Sequence, residues 1–258
     1  MPVIAPLCSW LRLLRCGLHL LWGAAVILAS SPCSPARRLA IKGRWSRQLL
    51  GILGVQFDAS LSAIPSGSLI VANHISWLDV FVLNAARPMA FVVKADVRGW
   101  PFIGWLVAHT DNVFLRRGSG SHARAVNHEI ATRLIAGEII AIFPEGTTSD
   151  GVEVLPFHSA LLQPALDARS PVQPLALAYH DATGSRSQTP AYAGETSLWQ
   201  SLRAIAAARG LKASITLLPP LSPGETKRRE LAASAREAIA AALGVPPAIS
   251  STDYSSGN

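Results

Sequence analysis

Acidic residues are missing from the first 57 positions, where seven bases, Arg12, Arg15, Arg37, Arg38, Lys42, Arg44 and Arg47, stand without a counter-charge. Charge of either sign is sparse, at 15% of the 258 residues against 50% hydrophobic, which excludes a disordered, collagenous or coiled-coil chain. Cysteine is scarce too: Cys8, Cys16 and Cys33 are odd in number, form no CxxC pair and all lie near the N-terminus. A disulfide framework and a zinc knuckle are therefore excluded, and a reducing, cytosol-facing setting is the simplest reading. No phosphate loop, GxGxxG, HExxH or GxSxG pattern occurs, so neither a covalent nucleophile nor a metal cluster is announced. Chemistry in such a chain must come from a base acting directly on its substrate.

Long apolar runs are also absent. The longest candidate, residues 16–31, has 16 residues, whereas a simple bilayer span needs about 20. A secretory signal would use Arg12 and Arg15 as its basic flank, but Ser-Ser-Pro-Cys makes a poor cleavage site. The following stretch, 35–53, interleaves five bases with Leu39, Ile41, Trp45, Leu49, Leu50, Ile52 and Leu53. That pattern suits a helix in a headgroup layer, attracted to anionic lipid; the competing reading is an apolar helix packed on the domain beside a solvated basic one. Bases on both sides of the apolar run fit a helix entering from the cytoplasmic face better than a one-pass span. The net charge of +7 belongs wholly to this region, since the 16 acids, all from Asp58 onward, are matched there one for one. A neutral main domain gives no reason to expect nucleic acid as a partner.

From residue 54 short apolar runs alternate with helical periodicity. Strands are expected at 68–72, 90–93, 112–115, 139–143, 172–178 and 214–218, with helices at 76–86, 101–109, 122–136, 159–168, 198–209 and 227–243. This predicts an α/β layered fold, a largely parallel sheet flanked by helices. The division expected is a membrane-anchoring helical segment over 1–53, a catalytic domain over 54–245 and a disordered Ser/Pro/Gly-rich tail over 246–258.

Three clusters sit at strand ends. In Ala72-Asn73-His74-Ile75-Ser76-Trp77-Leu78-Asp79 a histidine follows a strand, on the edge where α/β sheets place ligands. Asp79, five residues on, can reach back to orient the imidazole, which leaves the other nitrogen to take a proton. Ser76-Trp77-Leu78-Asp79 also reads as a helix-capping pattern, in which Asp79 would merely cap. In Ile142-Phe143-Pro144-Glu145-Gly146-Thr147-Thr148-Ser149 an acid at a strand end is costly to bury unpaired and is expected to face a polar cleft; the alternative is an ordinary turn. In Phe114-Leu115-Arg116-Arg117-Gly118 a guanidinium can clamp an anionic head group, or the pair is a solvated loop.

Together, in this order, these blocks resemble the glycerolipid acyltransferase family, the group of lysophosphatidate acyltransferases. His74 and Asp79 match its His-x4-Asp block, Phe114 and Arg117 its Phe-x-x-Arg block, 143–147 its Phe-Pro-Glu-Gly-Thr block, and 172–175 with Pro174 its proline-centred strand. Lys94 resembles the lysine often found between the first two. The resemblance covers roughly residues 55–220. It implies transfer of a fatty acyl chain from an acyl thioester, acyl-CoA or acyl carrier protein, to a lysolipid hydroxyl, with 1-acylglycerol-3-phosphate as acceptor. His74 and Asp79 would be catalytic, and Arg117, Glu145, Gly146, Thr147 and Lys94 would bind substrate. Neither metal nor cofactor is implied beyond the donor thioester. The implied setting is the cytoplasmic face of the inner membrane, on anionic lipid. Two positions depart from the pattern: Thr148 stands where arginine is common, and His158 where a lysine context is common. Both remove cations, so a phosphate-free acceptor such as lyso-ornithine lipid is the alternative, and a membrane-surface binding module is the non-enzymatic one.

Overall fold

The computed structural model describes residues 4–58, 61–116, 120–224 and 226–248. Seven strands form one sheet: β1 (Gln56–Asp58), β2 (Leu69–Ala72), β3 (Ala90–Lys94), β4 (Val113–Leu115), β5 (Ile140–Ile142), β6 (Val172–His180) and β7 (Lys212–Leu217). Their order is β1-β7-β6-β2-β5-β3-β4. The five strands from β6 to β4 are parallel, while β7 runs antiparallel to β6 and parallel to β1. All six expected strands are present and the sheet is largely parallel. The exception to the sequence reading is β1, a three-residue edge strand with little burial and hence no apolar pattern to announce it.

Among the described residues eight α-helices connect and cover the strands: α1 (Ile4–Ser30), α2 (Pro35–Leu53), α3 (Asp79–Ala86), α4 (Ile103–Ala108), α5 (Gly120–Ile135), α6 (Gln163–Asp167), α7 (Leu198–Ala207) and α8 (Arg228–Leu243). Side chains alternate across the sheet as a strand's period of two requires. Ile70, Ala72, Ala141, Leu175, Leu177 and Tyr179 join a cluster with Leu50 and Leu53 of α2, Val82 and Leu83 of α3 and Ile205 of α7. Leu69, Val71, Ile140, Ile142, Val172 and Ala176 join Val126 and Ile130 of α5, Ala165 of α6 and Ala235 and Ile239 of α8 on the other face. Burial on both faces explains why these strands read as continuous apolar runs.

The N-terminal hairpin departs from a free interfacial arrangement. The apolar run lies inside a helix of 27 residues that includes Arg12 and Arg15, and residues 7–30 are long and apolar enough to cross a membrane by length and composition. Yet α1 packs on α2 and α7, with His19 stacked on Trp45 at 4.6 Å. α2, capped by the Ser34 side chain and opened by Pro35, is built into the domain. Gly43 lies so close to α3 that a Cβ there would stand 2.5 Å from Pro88. Four of the seven N-terminal bases turn inward. Lys42 donates to Met89 O (2.7 Å) and Thr110 O (3.1 Å), Arg47 to Ala85 O (2.7 Å), and Arg38 pairs with Asp111. Arg12 donates to Ala206 O (3.0 Å) and Ala208 O (2.7 Å) at the C-terminus of α7, passing Gly54, whose left-handed backbone (φ 74°) ends α2 and whose missing Cβ leaves the guanidinium room. The sequence reading placed this charge toward lipid. Part of it is used instead within the fold, Arg12 and Arg47 on helix-end carbonyls that otherwise lack an intrahelical partner, Lys42 on loop carbonyls and Arg38 on a carboxylate. Arg15, Arg37 and Arg44 have no such partner among the described residues.

The outer face of α1 is an exposed apolar stripe: Leu7, Trp10, Leu11, Leu14, Leu18, Leu21, Trp22 and Leu28. At the other end of the chain, residues 249–258 of the expected tail lie outside the described residues, and Ala248 pairs with Val154 at 2.9 Å.

Candidate active site

The carboxyl ends of the parallel strands gather the residues singled out by sequence. After β2, Asn73 fixes the register to β6 twice over: its Oδ1 accepts from Leu177 N (2.8 Å) and its Nδ2 donates to Leu177 O (3.0 Å). The next residue, His74, is held at both backbone ends. Its N–H donates to Glu145 Oε1 (2.8 Å), and its carbonyl accepts from Ser149 N (2.8 Å). Its ring lies flat on Phe143, with centroids 4.0 Å apart and planes 12° apart, and Nδ1 is 2.9 Å from Asp79 Oδ2.

Asp79, fully buried, opens α3. Oδ2 also accepts from Ile75 N (2.8 Å) and Ser76 N (2.9 Å), and Oδ1 accepts from the Tyr179 hydroxyl (2.6 Å). Each of these partners can only be donating to a carboxylate, so the proton on His74 is assigned to Nδ1 and the Nε2 lone pair is left available. The two sequence readings of Asp79 converge on one side chain. Its reach back to Ser76 N is the capping contact, and the same oxygen orients His74. The imidazole is 19% exposed, enough for a substrate atom to reach it.

The block after β5 does something different from the sequence expectation. Glu145 is only 4% exposed; it holds the His74 N–H with one oxygen and Leu155 N (3.3 Å) with the other. Burial pushes its carboxyl up to about 8, against the pull of the two backbone donors. Glu145 thus braces the loop that carries His74, where an open cleft was expected. Gly146 turns the chain with φ 69° and Thr147 is exposed beside it. Thr148 donates its hydroxyl to Tyr192 O, and Tyr192 N donates to Ile75 O (2.9 Å), so the position that departs from the resemblance ties a neighbouring loop to the catalytic one. His158 is exposed, and its N–H donates to Pro144 O (2.8 Å).

Lys94 ends β3, half-exposed, 3.8 Å from Asp96. β5 separates β3 from β2, which puts its strand end about 10 Å from that of β2 at the usual inter-strand spacing. Phe114 in β4 carries the Arg98 guanidinium 4.1 Å over its ring, and Arg116 follows, exposed. Arg117 lies outside the described residues. The structure therefore brings His74, Asp79 and Glu145 into direct contact and sets Lys94, Arg98 and Arg116 further along the same edge. Sequence reasoning quoted Asn73 and Ser149 within the recognised blocks without giving them a role, and it missed Tyr179, a lone phenol in a strand of aliphatics and a weak signal.

The acyltransferase family model matches residues 59–178, the span that holds all of these residues except Tyr179 and Tyr192. A lyso-ornithine lipid O-acyltransferase of Pseudomonas aeruginosa is 38% identical over 200 residues, covering 77% of this chain and 76% of that one. A 1-acyl-sn-glycerol-3-phosphate acyltransferase of Neisseria gonorrhoeae is 36% identical over 172 residues, 66% of this chain and 67% of its own. Among solved structures, the 1-acyl-sn-glycerophosphate acyltransferase of Thermotoga maritima shares the fold, with a TM-score of 0.68 over 94% of this chain and 95% of that one at 21% identity. With the oriented histidine in place at the end of β2 and a relative 38% identical over 76% of its length, the chain belongs to the acyltransferase family of lysolipid-acylating enzymes.

Proposed function

We propose that this enzyme transfers a fatty acyl chain from an acyl-CoA or acyl carrier protein thioester to the free hydroxyl of 1-acylglycerol-3-phosphate, giving phosphatidate. The observation that carries the reading is the oriented His74, with Nδ1 held by Asp79 and Nε2 open at the carboxyl edge of the sheet. An alcohol is a weak nucleophile at neutral pH. Nε2 removes its proton as the oxygen attacks the thioester carbonyl; the tetrahedral adduct collapses by breaking the C–S bond, and the imidazolium returns the proton to the leaving thiolate. General-base help of this kind is worth about 10²–10⁴ in rate. Lys94, Arg98 and Arg116 supply positive charge along the same edge for an anionic head group or donor phosphate.

A second acceptor, lyso-ornithine lipid, is favoured by one contact: Thr148 is engaged by Tyr192, so the usual cationic position beside Gly146 and Thr147 contributes no head-group donor. The exposed stripe on α1 supports binding to the cytoplasmic face of a membrane. The opposite side of α1 is covered by α2 and α7, which suits a helix lying along one leaflet better than one crossing it.

Purified enzyme offered equal lysophosphatidate and lyso-ornithine lipid with an acyl thioester decides between the acceptors by product mass. Folded His74→Ala protein that kept the wild-type rate would overturn the mechanism.

A further inference from the structure

We infer that Tyr179 is the positioning residue that sets the basicity of the catalytic histidine, acting through the far oxygen of Asp79. The inference rests on the reading of His74 as the base.

The two oxygens of Asp79 have different company. Oδ2 carries three donors, the His74 ring and the N–H groups of Ile75 and Ser76. Oδ1 faces the Tyr179 hydroxyl at 2.6 Å, a short hydrogen bond, and no other donor among the described residues. Both side chains are buried, so water does not substitute for the phenol. Geometry fixes the phenol as tightly as the carboxylate. Tyr179 stands two residues beyond Leu177, and the Leu177 backbone is clamped by the Asn73 side chain, the residue next to His74. β6 therefore delivers the hydroxyl to the back of the dyad with its register locked to β2. Burial and the Asp79 charge push the phenol well above its ordinary range, so it remains a donor wherever the enzyme works.

A donor on Oδ1 draws negative charge away from Oδ2, the oxygen that stabilises the imidazolium. With the phenol present the imidazolium is less favoured and gives up its proton more easily; without it, Asp79 becomes a stronger partner and the histidine stays protonated to higher pH. The same bond fixes the carboxylate plane, so that Oδ2 presents its lone pair to Nδ1. The other titratable group against the dyad is Glu145 from the loop after β5, whose surroundings include the charges of Asp79 and of Arg236 from α8. Glu145 touches the backbone of His74 and not its ring, so a kinetic limb that belonged to Glu145 would not respond to Tyr179.

The test is the pH profile of kcat/KM for wild type, Tyr179→Phe and a variant with fluorinated tyrosine at 179. In Tyr179→Phe the acidic limb should move up by about one pH unit, the size expected for losing one hydrogen bond to a charged group. kcat should fall by up to about tenfold on the acidic side of the profile, and by less at neutral pH, with KM nearly unchanged. Fluorinated tyrosine, a more acidic donor of nearly the same shape, should move the limb the other way. A limb fixed in both variants would overturn the inference and leave Tyr179 a packing residue; so would a wild-type profile in Tyr179→Phe. If Tyr179→Phe fails to fold, the fluorinated variant decides alone. His74→Ala separates the two claims: its full activity would sink the base assignment, whereas its inactivity beside an unmoved limb would sink only the role of Tyr179.

Discussion

The carboxyl end of β2 and the outer face of α1 are opposites. At the first, the polar atoms around His74 other than its open Nε2 have fixed partners: four donors on the Asp79 carboxylate, an acceptor for the His74 N–H and a donor for its carbonyl. At the second, eight large apolar side chains stand exposed with nothing against them. One region is braced within the chain and the other turns its apolar area outward. A site that must hold a base within a fraction of an ångström gains from pre-organisation, whereas a surface that meets fluid lipid gains only from apolar area. The same division runs through the N-terminal bases. Arg12, Arg38, Lys42 and Arg47 are bound within the fold, and Arg15, Arg37 and Arg44 are left outward.

Substitutions should respect this boundary. His74→Ala or Asp79→Asn should lower acyl transfer by about 10²–10⁴ and leave sedimentation with phospholipid vesicles unchanged; a parallel loss of vesicle binding would blur the distinction. Conversely, replacing Leu14, Leu18 and Trp22 together with serine should weaken vesicle binding roughly a thousandfold, at about 1.5 kcal/mol per side chain. Its rate with short-chain, water-soluble substrates should be preserved.

Two buried charges test how closed the interior is. Burial lowers Lys42 to about 8, below its unfolded value, so the folded protein loses that proton first and gains stability as pH climbs from 8 toward 10.5. Glu145 is raised to about 8, so its contribution is full below about pH 4.5 and is lost as pH rises toward 8. Melting temperature should therefore fall and then rise across this range. Lys42→Met should flatten the upper limb and Glu145→Gln the lower, each by about 2 kcal/mol. The smallest effect separates neighbours on one helix. Arg12→Ala should cost about 1 kcal/mol of stability by uncapping α7, while Arg15→Ala should leave the melting temperature alone and weaken binding to anionic vesicles only.

Much of this was legible in the sequence. Buried parallel strands read as apolar runs, and the blocks around His74, Phe114 and Glu145 stand at strand ends because a parallel sheet puts all its carboxyl ends on one edge. The use of each side chain was harder to read. Glu145 reads as an acid facing a cleft, because nothing in Phe-Pro-Glu-Gly-Thr shows that two backbone N–H groups will come to meet it from 71 positions earlier and 10 later. The bases of α2 read as lipid-facing for the same reason: their carbonyl partners, Ala85, Met89 and Thr110, are distant in the chain and carry no signal in their side chains. Tyr179 is hidden in an aliphatic strand, and only the Asn73–Leu177 register makes it a neighbour of Asp79.

The short turn between α1 and α2 has a consequence for how the protein can be divided and how it can diverge. Because the Ser34 side chain and Pro35 start α2 without help from what precedes them, and α2 is bonded to α3 and to the segments before β3 and β4, the natural cut lies in residues 31–34. A polypeptide beginning at Ser34 should keep the corner around His74, with the C-terminal carbonyls of α7 and the apolar faces of α2 and α7 that α1 covers, Trp45 among them, returned to solvent. Over evolutionary time the outer positions of α1 are then free to drift among apolar residues, or to be exchanged for another membrane-seeking helix. Gly43, Lys42 and Arg47, eight or more positions past that turn, are tied to the rest of the enzyme and must change with it.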